Sequence, residues 1–114
     1  MKTVTFDVSD LKSVGNHFIE AWRTGKAQSE RISFASVELM FRVLTERRWE
    51  LIRAMAGAGP MSIREAARRV GRDVKAVHGD VQALLNAGVL WKTEDGKIEF
   101  PFDAIHIDAT VKAA

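Results

Sequence analysis

The clearest periodicity in the chain lies between Arg72 and Leu90. Val74, Val77, Val81, Leu84 and Leu85 fall at i, i+3, i+7, i+10 and i+11, one apolar stripe along a helix. Lys75, His78, Gly79, Gln82 and Asn86 share another face, which is narrow and polar. A glycine in that face lets another molecule approach the backbone closely. Asp73 stands where a cap belongs, and Asn86-Ala87-Gly88 is a stop signal with a glycine for the left-handed position.

Upstream, the period changes several times. TVTFDV (3–8) alternates, with Val4, Phe6 and Val8 on one side, and predicts a half-buried strand. Ser9 or Asp10 then caps a helix carrying Leu11, Val14, Phe18 and Trp22, which ends near Thr24-Gly25. After a polar loop, RISFAS is a second strand with Ile32 and Phe34 on one face. These elements form a β-α-β unit of about 35 residues, too small to bury a core alone, so it must pack on the rest of the chain or on a second one. Ser36 opens VELMFRVL, apolar nearly all round, which predicts a helix buried on most sides, in a core or, preferably, at an interface.

From Thr45 the chain reads as a compact series. Thr45 caps ERRWELIRAMA, which turns Trp49, Leu51, Ile52, Met55 and Ala56 inward, and Gly57-Ala58-Gly59-Pro60 ends it. In MSIREAARRVG, Ser62 and Glu65 have capping-box spacing. Ile63, Ala66, Ala67 and Val70 form a small-residue face that lets a second helix cross closely. Gly71-Arg72 makes a tight turn into the helix from Asp73. Val89-Leu90-Trp91 and Lys97-Ile98-Glu99-Phe100 are strands joined by a turn with Asp95-Gly96, a strong hairpin signal, and Pro101 ends the second strand. AIHIDATV (104–111) alternates again, with Ile105, Ile107, Ala109 and Val111 on one face and His106, Asp108 and Thr110 on the other.

Capped helix, short capped helix, turn, polar-faced helix and hairpin, in that order, make a winged helix-turn-helix. The expected fold is therefore α+β, mainly α: residues 45–100 as the winged helix-turn-helix, 1–44 as an N-terminal β-α-β extension for dimerisation or partner binding, and 101–114 as a C-terminal strand and tail. The chain has 114 residues and a net charge of only +2, which does not argue for nucleic acid by itself. The distribution of charge does. Arg64, Arg68, Arg69, Arg72 and Lys75 face only Glu65 and Asp73 within residues 62–78, a basic patch beside the polar helix face. With that helix in the major groove, Lys75, His78 and Gln82 reach base edges, Gly79 permits close approach, and the Gln82 amide suits adenine. Arg64, Arg68, Arg69 and Arg72, with Lys92 and Lys97 on the wing, neutralise phosphates. Asp80 would cost phosphate affinity if it faced DNA, so it is expected to turn sideways toward Arg68 or Arg69.

The stretch from Thr45 to Phe100 resembles MarR-like winged-helix transcriptional regulators. More narrowly, RWELIRAMAGAGPMSIREAARRVGRDVKAVHGDVQALLNAGVL, followed by FPFDAIHID, is similar to small prokaryotic DNA-binding proteins treated as antitoxins, including partners of TumE-type toxins. That resemblance implies an autoregulating homodimer on a palindromic double-stranded operator, and a cognate toxin held outside the winged helix. The DNA-binding reading puts Phe18, Trp22, Met40, Phe41, Ile105 and Ile107 at the dimer or partner interface. Dimeric binding would repeat half-sites at about 34–36 Å. Relatives often carry Ser, Thr or Arg where this chain has His78 and Gly79, so base preference does not transfer.

Other classes fit less well. The chain has no cysteine, which excludes disulfides, thiolate metal sites and cysteine nucleophiles and suits a reducing cytoplasm. His17, His78 and His106 sit in separate segments without a catalytic motif, so no enzyme and no cofactor are expected. Asp103, His106 and Asp108 could be taken for metal ligands, but on an alternating strand His106 and Asp108 simply share the outer face, and no metal is expected. MKTVTFDVSD has acids where an export signal needs an apolar run, and no stretch approaches the roughly 20 apolar residues of a membrane span. The alternative is a winged helix used for protein interaction with its groove-reading face idle. Alternating strands at both termini would then be edges that invite another chain.

Overall fold

The computed structural model describes residues 1–9 and 30–113. The helix expected to follow Ser9 or Asp10, with Phe18 and Trp22, lies outside the described residues. Within them the fold is α+β: strand β1 (Thr3–Val8), strand β2 (Arg31–Phe34), helices α1 (Val37–Val43), α2 (Glu46–Met55), α3 (Ile63–Val70) and α4 (Val74–Asn86), then strands β3 (Trp91–Lys92), β4 (Ile98–Glu99) and β5 (Ala104–Asp108).

The two ends of the chain build one sheet. Its order is β2-β1-β5 and both pairings are parallel, with Phe6 opposite Ile32 on one side and Ile107 on the other. Backbone bonds lock the junction: Asp103 N–H donates to Lys2 O at 2.7 Å, and Lys2 N–H donates to the Asp103 carboxylate at 2.9 Å. Two expectations change here. The alternation of β1 predicted one wet face, yet Thr5 and Asp7 are 8% and 3% exposed beside fully buried Val4 and Phe6. The cause is position, because the central strand of a parallel sheet is covered on both faces. The terminal strands are also not two separate free edges, since β1 and β5 pair with each other. The alternation read to Val111 ends as strand at Asp108.

Asp7 shows how such burial is tolerated. Its carboxylate accepts from Ser33 Oγ at 2.5 Å, Arg31 Nη1 at 2.6 Å and Ser9 Oγ at 3.2 Å. Burial pushes its pKa up, but the bonds from Ser33, Arg31 and Ser9, with the Arg31 charge, outweigh that and hold it below the usual carboxylate range.

Phe6 is the hub between this sheet and the helices. It stacks on Trp49 of α2 at 5.9 Å and meets Phe34 and Phe100 edge-on at 6.0 and 6.4 Å. Phe100 continues to Phe102, and Phe102 to Trp91. The N-terminal strands therefore pack on the rest of their own chain, as their small size requires. Leu51, Ile52 and Met55 of α2, Ala66 and Ala67 of α3, and Val77, Val81 and Leu84 of α4 complete the core.

The helix boundaries follow the caps. Ser36, Thr45 and Ser62 side chains accept from Leu39, Arg48 and Glu65 N–H. Helix α1 departs from expectation: only Met40 is buried, at 1%, while Phe41 is 66% exposed. One side of this helix rests on the protein and the other faces water. After α3, Gly71 takes the left-handed conformation (φ 65°), and Arg72 N–H reaches back to Ala67 O at 3.0 Å, closing the turn into α4. Beyond α4, β3 and β4 form an antiparallel ribbon pairing Trp91 with Glu99 and Lys92 with Ile98. Val89 and Leu90, read as part of the first ribbon strand, instead fill the core ahead of it. Met61 adds a bridge to Ile98 through two backbone bonds of 2.9 Å. No helix among the described residues is long and apolar enough to cross a membrane.

Candidate nucleic-acid interface

Helix α4 separates its two faces cleanly. Val77, Val81 and Leu84 are fully buried, Leu85 is half-buried, and Val74 sits at the exposed start. The polar set Lys75, His78, Gly79, Gln82 and Asn86 is exposed along its length. A side chain at Gly79 would meet no neighbouring atom within 4 Å. Nothing in the packing requires a glycine there, although mid-helix glycine costs about 0.5–1 kcal/mol relative to alanine. Asp73 occupies the capping position, but its side chain makes no cap hydrogen bond. The first-turn amides of α4 thus carry no side-chain acceptor from it.

The arginines beside this face are more occupied than their spacing suggested. Glu65 does not close a reciprocal capping box; its carboxylate binds Arg68 at 2.6–2.7 Å and Arg69 at 2.9 Å. The hydrogen bonds from Arg68 and then Arg69 pull the Glu65 pKa down to about 2. Asp80 does turn sideways, though toward different partners: Arg48 Nε at 3.1 Å and Arg72 Nη1 at 2.9 Å. The Arg72 contact is close but poorly aligned for a hydrogen bond, so it is chiefly electrostatic. Arg72, with its side chain 15% exposed, is thereby turned into a structural triad linking α2, the turn and α4. The guanidinium expected on phosphate is thus engaged by Asp80.

Arg64 is exposed and makes no ion pair among the described residues. With Ser62, Arg68, Arg72 and Val74 it lines an open groove of about 440 Å³ between α3 and the start of α4. On the ribbon, Lys92 and Lys97 are exposed, Lys97 lying 4.0 Å from Asp95. Thr93 braces the turn by bonding Asp95 and accepting from Lys97 N–H at 3.0 Å, and the Thr93 bond is the main cause lowering the Asp95 pKa.

The expected interface residues separate. Met40 belongs to the core and is removed from the set by its burial. Phe41 and Ile107 are exposed, at 66% and 51%, and Ile105 is half-buried at the edge of the core. Phe18 and Trp22 lie outside the described residues. Asp103, His106 and Asp108 form no metal cluster, and no other such group occurs among the described residues.

Sequence reasoning missed two positions. Arg48 holds Asp80 and also donates to Val43 O at 3.0 Å, and a charged residue at mid-spacing gave no sign of either bond. Met61 supplies a one-residue strand, too short to have a period.

The chain belongs to the HVO_A0114 family, whose model matches residues 43–107, from the end of α1 to β5. No curated protein and no solved structure matched the chain.

Proposed function

We propose that this member of the HVO_A0114 family is a winged helix-turn-helix protein that binds double-stranded DNA sequence-specifically and regulates transcription. In this reading α3, the Gly71 turn and α4 are the helix-turn-helix, with α4 in the major groove. The β3–β4 ribbon is the wing, and the Met61–Ile98 bridge stands where such a fold has a further short strand.

One observation carries the proposal. Gly79 lies mid-helix on an exposed polar face, with open space around it. A residue that weakens its helix and is demanded by no neighbour is best explained by something that approaches from outside. Lys75, His78 and Gln82 flank it with the donors and acceptors that base edges require. Arg64, Lys92 and Lys97 supply phosphate contacts, joined by Arg68 and Arg69 to the extent that they leave Glu65.

The test is fluorescence anisotropy on the chain's own upstream DNA and on a shuffled duplex, at two salt concentrations. Preference for the upstream duplex that survives physiological salt is the expected result. Gly79→Ala should stabilise the fold by about 0.5–1 kcal/mol and weaken DNA binding. Gln82→Ala should lose about 1–3 kcal/mol of discrimination at one base pair. Unchanged affinity in both variants would show that α4 does not enter the groove.

A second reading, a winged helix that binds protein only, is favoured by one observation: Arg68, Arg69 and Arg72 are all engaged by Glu65 or Asp80. Equal, salt-labile binding to both duplexes would select it.

A further inference from the structure

We propose that β5 is the seam of a homodimer, pairing antiparallel with β5 of a second copy about a two-fold axis at Ile107. Such pairing would join the two sheets into one of six strands.

The backbone provides the first argument. Residues of a strand between two parallel neighbours turn their peptide groups alternately to either side. Thr5 N–H donates toward β2, to Glu30 O at 3.0 Å, so Val4 and Phe6 address β5. Ala104 N–H lies 3.3 Å from Lys2 O, which turns Ala104, His106 and Asp108 toward β1. Ile105 and Ile107 therefore present their N–H and C=O groups outward, with no backbone partner among the described residues. Proteins usually blunt such an edge with proline, lysine or a covering loop. Residues 104–111, AIHIDATV, contain neither proline nor lysine. The opposite edge differs: β2 has four residues and opens with Arg31, which is tied to Asp7.

Side chains provide the second argument and set the register. With Ile107 opposite Ile107 of the second copy, His106 meets Asp108 twice, and Ile105 meets Ala109 twice. A hydrogen-bond donor and a carboxylate then face each other on one side of the sheet, and apolar residues on the other. Shifting the axis to His106 would place two histidines together and Asp108 against Ala104. The 51% exposure of Ile107 fits the first arrangement, since its side chain continues the Val4–Phe6 face past the edge of the core. An isologous contact of this kind closes on itself and cannot propagate.

Light scattering after gel filtration should show a dimer for the full chain and a monomer for Ile107→Lys, with unchanged circular dichroism. The chain lacks cysteine, so an introduced thiol reports alone. A facing hydrogen-bonded pair lies about 5.5 Å apart at Cα, within reach of a disulfide. Ile107→Cys should thus cross-link on mild oxidation, and Phe41→Cys should remain unlinked. The register is read by charge exchange: His106→Asp should weaken dimerisation at least tenfold, and adding Asp108→Lys should restore it. A monomeric parent chain would overturn the seam. So would a dimer that survives Ile107→Lys and cross-links through Phe41→Cys. DNA binding retained by a monomer would overturn the seam alone and leave the proposed groove face standing.

Discussion

Asp7 and Glu65 are both carboxylates held below their ordinary pKa by side-chain hydrogen bonds, from Ser33 and then Arg31 in the first and from Arg68 and then Arg69 in the second, and they serve different parts of the molecule. Asp7 lies inside the terminal sheet, and its partners Arg31 and Ser33 come from 24 and 26 residues away. Glu65 lies on the surface of α3, and its partners are three and four residues along the same helix. The first acid connects distant strands, so removing it strands a half-buried guanidinium. The second only organises charges that water already solvates. Similar chemistry thus stabilises the fold in one region and tunes a surface in the other.

The strongest way to break this contrast is at Phe6, where the two regions meet. Phe6→Ala should cost about 3–5 kcal/mol, since it removes ring contacts to Phe34, Trp49 and Phe100 together. Guanidinium unfolding followed by tryptophan fluorescence and by far-ultraviolet circular dichroism should shift in step. Separated transitions would mean that the sheet and the helices unfold independently.

Asp7→Ala should come next, at about 3 kcal/mol, because Arg31 then loses its partner. Its pH signature follows from the lowered pKa. In the parent chain the contribution is complete above the unfolded carboxylate value near 4 and is lost as pH falls through the lower folded value. Stability measured from pH 6 down to pH 2 should fall less steeply in the variant. An unchanged acid limb would place the stabilisation elsewhere.

The smallest effect on stability is expected for Glu65→Gln, which should leave neutral-pH unfolding unaltered. Under the proposed DNA-binding function, its consequence should appear on DNA. Releasing Arg68 and Arg69 should tighten binding to every duplex alike and steepen the salt dependence. Tighter binding to one sequence only would instead assign these arginines to base reading.

Much of the central segment was legible because its information is local. The stripe on α4, the Ser62 cap, the Gly71 turn and the Asp95-Gly96 hairpin each depend on residues within one or two turns of one another. The exposed set at Lys75, His78, Gly79, Gln82 and Asn86 emerged from the same spacing. Charge partners were less legible. The spacing points Asp80 toward Arg68 or Arg69, yet it pairs with Arg72 in the turn and with Arg48, 32 residues away on another helix. Spacing along one helix carries no record of what crosses it.

The sequence by itself determined where α1 to α4 begin and end, and which face of α4 meets water, because capping groups, glycines and apolar spacing act over a few residues. Only the tertiary structure decided that the chain's two ends share a sheet, that β1 is covered on both faces, and that Met40 is core while Phe41 is surface. Those outcomes depend on which strands lie side by side. Alternation fixes the two faces of a strand, but its neighbours are set by the whole chain closing around Phe6.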